Sequence, residues 1–168
     1  MCKRFVLLKH ENKGDFHVDF LLDCGSDRLL TWQINDKFLA NFLTCGEKFF
    51  DFTKSSNHTN NTVYSNCQRI FDHRLKYFDF SGDLGEYRGY VTRLEYGIWE
   101  LSELTGSRLA IKTVGTRLAD NLLISRLWLF VPLGEMTMDI KAEKPDQLMQ
   151  QLPPPGNGKW VVSCSFLC

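Results

Sequence analysis

Residues Phe16 to Asp23 alternate between two faces, with Phe16, Val18, Phe20 and Leu22 on one and His17, Asp19, Leu21 and Asp23 on the other. A period of two over this length predicts a strand with one buried face. The apolar run Phe5 to His10 predicts a partner strand, and the polar, glycine-containing Glu11 to Asp15 between them predicts a hairpin loop. Leu29 to Ile34 extends the pattern into a meander. Further on, Phe38, Leu39, Phe42 and Leu43 have helical spacing, which predicts a short helix from about Asp36 to Thr44. Polar Lys54 to Thr62 reads as an exposed loop. From Arg69 an extended segment is expected, with Phe71, His73, Leu75 and Tyr77 on one face, ending at Ser81-Gly82. Gly85, Gly89 and Gly97 punctuate the following stretch, so strands are expected around Tyr90 to Leu94 and Ile98 to Leu101. Arg108 to Thr113 and Leu122 to Val131 complete the set.

Many short strands with closely spaced turn signals predict an all-β fold with minor α content. The expected architecture is a compact β-barrel, with the short helix inside an enlarged 35–68 insertion and a peripheral C-terminal tail. Residues 135–168 change character: Asp146 to Leu152 suits a helical turn, Pro153-Pro154-Pro155-Gly156 breaks the chain, and Trp160 to Cys164 suits an edge strand. The chain is thus expected to divide into a barrel domain, 1–134, and a C-terminal extension, 135–168.

Composition narrows the function classes. Among 168 residues, 13 Phe, 4 Trp and 5 Tyr supply enough apolar surface to exclude a disordered chain. With 20 Lys+Arg against 20 Asp+Glu the chain is no bulk polycation, although a local basic patch remains open. The longest apolar run, Leu127 to Leu133, is too short to span a bilayer. The N-terminus lacks a signal-length apolar region. Six scattered cysteines without a C-x-x-C pair read as reduced thiols, so a cytoplasmic location is expected.

The candidate chemistry lies at the first hairpin. His17 and Asp19, two positions apart on a strand, project from the same face, and His10 ends the antiparallel neighbour. Two imidazoles and a carboxylate are a common catalytic metal set that leaves coordination positions open. The simpler alternative is a pair of solvated surface histidines, since H-x-D triplets also arise by chance. His73, on a face with Phe71, Leu75 and Tyr77, reads either as a hydrogen-bonded core residue or as a catalyst; Tyr77 could offer a hydroxyl to phosphate or simply pack. Gly85 and Gly89 around Glu86-Tyr87-Arg88 could form an anion loop, but hairpin geometry accounts for them more simply. No P-loop or nucleophile elbow occurs, and no cysteine has an adjacent base.

Together these segments resemble a known family. Phe5-Val6-Leu7-Leu8-Lys9-His10 followed by His17-Val18-Asp19-Phe20-Leu21-Leu22 is similar to the opening of the 3′-phosphoesterase domain of bacterial DNA ligase D, F-V-x-x-x-H and then H-x-D-F-R-L. Asp72-His73-Arg74-Leu75-Lys76-Tyr77-Phe78-Asp79-Phe80-Ser81-Gly82 resembles its D-H-P-L-x-Y-x-x-F-x-G. Gly85-Glu86-Tyr87 and Gly97-Ile98-Trp99-Glu100 resemble G-E-Y and G-T-W-E, and Arg117-Leu118 with Leu122 to Leu127 closes the match, which spans about 5–131 in order. The resemblance implies a stand-alone, divergent member: a β-barrel with a divalent metal, usually manganese with zinc as the alternative, that removes a 3′ ribonucleotide or 3′ phosphate in DNA repair. It implies His10, His17 and Asp19 as metal ligands, His73 as a phosphate-contacting catalytic residue, and Tyr77 as a neighbouring polar contact. The implied partners are a DNA or RNA/DNA 3′ end and ligase or end-joining proteins, with no membrane.

Departures from the family bear on substrate. Its arginine after D-F is Leu21 here, so a phosphate-binding guanidinium is replaced by an aliphatic chain. The acidic residue two before the D-H histidine is Phe71. The His10 to His17 interval is one residue longer, and the family's N-terminal arm is expected to be essentially absent. Arg4, Lys9, Arg69, Arg74 or Lys76 could replace the lost arginine only if the fold aims one inward. Three readings follow: a metal-dependent 3′-phosphoesterase, a module with the same barrel that binds nucleic-acid ends or phosphorylated ligands without catalysis, or a metal enzyme for a smaller substrate.

Overall fold

The first hairpin carries apolar residues on both faces, so it must be packed from two sides. In the computed structural model, which describes residues 3–35, 37, 39, 43, 58–59, 62–133, 152–156 and 159–167, this is what happens. The strands are β1 (Arg4–Asn12), β2 (Asp15–Asp23), β3 (Arg28–Ile34), β4 (His58–Thr59), β5 (Thr62–Arg74), β6 (Gly82–Asp83), β7 (Tyr90–Thr105), β8 (Arg108–Arg117), β9 (Leu122–Pro132) and β10 (Lys159–Phe166). They pair in the order β1-β2-β3-β5-β10-β9-β8-β7-β6, with β4 on β5. β7 also pairs antiparallel with β1, so the sheet closes into a barrel-like ring. The fold is all-β, as the alternation predicts.

The ring interior takes Phe5 and Leu7 from β1, Val18, Phe20 and Leu22 from β2, and Leu30, Trp32 and Ile34 from β3. Phe20 lies at its aromatic centre, with ring centroids 4.7 Å from Trp128 and 5.4 Å from Phe130. A second apolar cluster lies on the opposite face of the same strands. Val6, Leu8, Leu21 and Leu29 are covered there by Phe78, from the 3₁₀ turn after β5, and by Val91, at the start of β7. That cover borders the candidate site.

The structure corrects several expectations. The strands expected at Tyr90 to Leu94 and Ile98 to Leu101 are one continuous strand, β7. Gly97 lies in its middle because a Cβ there would meet the Val114 carbonyl oxygen at 2.1 Å; it permits close strand approach and makes no turn. The extended segment from Arg69 ends at Arg74, and Leu75–Phe78 form a 3₁₀ turn. Phe71 and Leu75 are exposed, so the expected apolar face of that segment is not formed. The tail strand is no edge strand. β10 lies between β5 and β9, with Trp160, Val162 and Cys164 buried in the interior, because both neighbours have backbone groups to satisfy and the interior has volume to fill.

Lys37, Leu39 and Leu43 are helical, and Leu39 and Leu43 are buried in the core, as their spacing predicts; the rest of the 36–44 helix lies outside the described residues. So does the 54–62 loop apart from His58, Thr59 and Thr62, all within strands, and so does the expected 146–152 helical turn apart from Leu152.

One interior feature is polar. Arg126 Nη1 donates to Glu95 Oε2, with both side chains almost fully buried, beside Thr113, whose hydroxyl accepts from Trp128 Nε1 at 3.0 Å. Removing one partner leaves a buried charge without compensation. Glu95→Ala is therefore expected to lower the unfolding free energy in urea denaturation by about 3–5 kcal/mol, and Glu95→Leu with Arg126→Met to recover most of it.

Candidate metal centre

The β1–β2 hairpin turns on Lys13 and Gly14 alone, at φ 52° and 83°, the left-handed pair that a two-residue hairpin turn requires. Its register pairs Asn12 with Asp15, which sets His10 directly opposite His17 and Asp19 opposite Leu8. The imidazoles stand edge to face with centroids 4.8 Å apart. One ligand-capable atom each from His10, His17 and Asp19 lies within 4.8 Å of the other two. The hairpin thus brings the three predicted residues together. The opposite face of β2 anchors in the core, as its alternation predicts.

Asp19 is 4% exposed, and its Oδ1 is buried without a hydrogen-bond partner. His17 Nε2 lies 3.5 Å from that oxygen and His73 Nε2 3.8 Å from Oδ2. A buried carboxylate oxygen without a partner is costly unless a charge compensates it. A divalent cation between two imidazoles and this carboxylate would do so. The residues present therefore fit such an ion, and an N/O donor set of this kind suits manganese or zinc.

Neighbouring carbonyls set the histidine tautomers. His10 Nε2 lies 2.7 Å from the Arg88 carbonyl oxygen, which can only accept, so Nε2 carries the proton and Nδ1 keeps its lone pair. His73 Nδ1 donates to the Phe71 carbonyl at 3.1 Å, which leaves the Nε2 lone pair facing Asp19. Such bonds orient metal-binding imidazoles and raise their basicity.

His73 reaches the site through a bulge. Thr31 pairs with Ile70, but Leu29 pairs with His73, one residue beyond regular register. The extra residue turns His73 onto the face that carries Leu29. The buried Thr31 hydroxyl lies 3.4 Å from the His73 backbone nitrogen and donates to the Leu29 carbonyl at 2.9 Å. His73 is therefore half-buried at a cavity wall, outside the core. Tyr77, on the 3₁₀ turn, sets its ring edge to face against His73, centroids 5.1 Å apart.

A cavity of about 370 Å³ opens among His10, Asp19, His73, Tyr77, Leu84 and Arg88. His10 also lines an adjoining cleft with His17, Lys13 and Lys37. Leu21 is buried in the second apolar cluster. None of the five cations considered from sequence lines the cavity. Arg4 pairs with Asp23 at 2.6 Å, Lys9 with Glu11 at 2.8 Å and Arg69 with Asp72 at 2.5 Å. Arg74 is exposed, and Lys76 lies over the Tyr77 ring. Arg88 is the functional candidate that sequence reasoning set aside. Its signal in the sequence is the flanking Gly85 and Gly89, which allow an anion loop but are explained more simply by hairpin geometry.

Cys24 and Cys67 are buried thiols; burial pushes Cys24 up to about 12 and raises Cys67 further, so neither supplies a thiolate. Among the described residues no helix is long and apolar enough to cross a membrane. Compared with known protein families and with curated proteins, the chain matches none.

A cation that binds only the folded site stabilises it by mass action, about 2.7 kcal/mol at 100 times its dissociation constant. Titration with Mn²⁺ or Zn²⁺ is expected to raise the melting temperature. Asp19→Asn, isosteric but uncharged, should abolish that rise.

Proposed function

We propose that this protein is a metal-dependent phosphoester hydrolase acting on the 3′ ends of nucleic acids, in the manner of the 3′-phosphoesterases that its motifs resemble. The observation that carries this is the buried Asp19 carboxylate, which has an oxygen without a hydrogen-bond partner and faces the nitrogens of His17 and His73. A divalent cation at His10, His17 and Asp19 would neutralise phosphate oxygens and ease deprotonation of a water. In the reaction, water oxygen forms a bond to phosphorus, the ester P–O bond breaks, and the leaving oxygen ends with a proton. His73, whose ring is held by the Phe71 carbonyl with Nε2 toward Asp19, would steady or transfer that proton. Tyr77 offers a hydroxyl at the same cavity and packs the His73 ring in place. The repair setting, manganese, and ligase or end-joining partners belong to the same proposal.

A second reading is favoured by one observation. Leu21 is fully buried among Val6, Leu8 and Leu29, so the strand offers no guanidinium to phosphate. A barrel that binds 3′-phosphorylated ends without turnover would need none for chemistry, and its binding would be salt-sensitive.

The test is hydrolysis of a 3′-phosphorylated and a 3′-ribonucleotide-ended duplex by the Mn²⁺-loaded protein. Turnover is expected, and His17→Ala and His73→Ala should each lower kcat/KM by about 10²–10⁴-fold. Binding without turnover in the parent chain favours the second reading.

A further inference from the structure

We propose that Arg88 is the phosphate clamp of this site, supplied by the turn between β6 and β7 in place of a strand arginine; the inference rests on the phosphoester reading above. Three observations converge on it. Arg88 lines the same cavity as His10, Asp19, His73 and Tyr77. Its guanidinium donates through Nη2 to the Leu84 carbonyl at 2.5 Å and through Nε to the Gly85 carbonyl at 3.4 Å. Both acceptors are neutral, and among the described residues no carboxylate forms an ion pair with it. A guanidinium has five N–H donors in a planar fork, so several remain for a tetrahedral oxyanion.

The turn is built to hold Arg88 there. Leu84 N–H donates to the Gly89 carbonyl at 2.9 Å and Arg88 N–H to the Gly85 carbonyl at 3.0 Å. Gly85, Glu86, Tyr87 and Gly89 have φ of 69°, 49°, 62° and 93°. Left-handed backbone at Glu86 and Tyr87 is unfavourable for residues with a Cβ, so the surrounding contacts must hold it. Gly89 supplies one such contact: a Cβ there would lie 2.0 Å from the Glu11 carbonyl oxygen, so only glycine lets the turn press against β1. The same approach brings the Arg88 carbonyl to His10 Nε2 at 2.7 Å.

One residue thus serves two functions through different groups. The backbone carbonyl would orient the metal-binding imidazole of His10, while the guanidinium, held at Leu84 on the rim of the same cavity, would meet a phosphate seated there. The strand position is filled by Leu21 because the apolar cluster there leaves no room for a charge. Side-chain replacement at Arg88 keeps the carbonyl, so the two functions are separable.

The experiment compares the parent chain with Arg88→Ala and Arg88→Lys, measuring Mn²⁺ affinity by electron paramagnetic resonance and inorganic phosphate affinity of the Mn²⁺-loaded proteins by calorimetry. Mn²⁺ affinity is expected to stay within about twofold in both variants, while Arg88→Ala loses about tenfold or more in phosphate affinity and Arg88→Lys recovers part of it as a point charge. In turnover with a 3′-phosphorylated duplex, Arg88→Ala should raise KM more than it lowers kcat. Unchanged phosphate affinity in Arg88→Ala overturns the proposal, as does a parent chain that binds Mn²⁺ but not phosphate. Loss of Mn²⁺ affinity in Arg88→Ala matching its loss of phosphate also overturns it, since the side chain would then act on the metal site. A parent chain that binds no Mn²⁺ overturns the metal-site reading itself, and the clamp with it.

Discussion

Strand β1 is hydrogen-bonded along both edges, to β2 over Phe5 to Asn12 and to β7 over Arg4 to Glu11. This double pairing closes the ring and leaves β1 with no open edge. Its side chains are apolar on both faces, so both need apolar cover. Phe5 and Leu7 face the interior, whereas Val6 and Leu8 face outward and need cover. Phe78, from the turn after β5, and Val91, at the start of β7, provide that cover. Because β7 returns beside β1, with Val91 paired to His10, the turn preceding it is carried over the histidine pair. The candidate site is therefore the border of the second apolar cluster, where the outward row of β1 passes from Val6 and Leu8 to His10.

Two buried carboxylates show how differently the protein treats charge on the two sides of the sheet. Glu95 faces the ring interior and is matched by Arg126, so the pair is neutral as a unit. Asp19 faces outward and meets imidazoles at 3.5 and 3.8 Å, distances too long for strong hydrogen bonds. At low dielectric an incompletely satisfied carboxylate is much more costly than a paired one. In the first the two opposite charges compensate each other, although Glu95 Oε1 is buried without a hydrogen-bond partner. The second faces imidazoles and would be completed by the proposed cation, so the proposed chemistry centres on Asp19 and the Glu95 pair serves stability.

The half of the site on the first hairpin was legible because its geometry is local. Alternation sets His17 and Asp19 on one face, and a two-residue turn carries His10 to the cross-strand position. The remainder was not. His73 owes its orientation to a bulge against β3, and Tyr77 to a strand that stops at Arg74. Gly85 and Gly89 around Arg88 are explained in the sequence most simply by hairpin geometry, and only the structure shows that Gly89 presses against Glu11. The same limit explains Gly97, which reads as punctuation in one dimension and as strand contact in three. It also explains Trp160, whose strand looks peripheral until β5 and β9 are seen to flank it.

What the sequence by itself determined is the all-β class, the strands of the first meander and the convergence of His10, His17 and Asp19 at its hairpin. These follow from side-chain alternation and short turns, which act over a few residues and are written directly in the order of amino acids. What only the tertiary structure decided is ring closure by β1 and β7, the insertion of β10, and the meeting of His73, Tyr77 and Arg88 with that triad. Each depends on pairing or packing between segments tens of residues apart. There a one-residue bulge or a missing Cβ changes which side chain faces the cavity, and no local pattern records that choice.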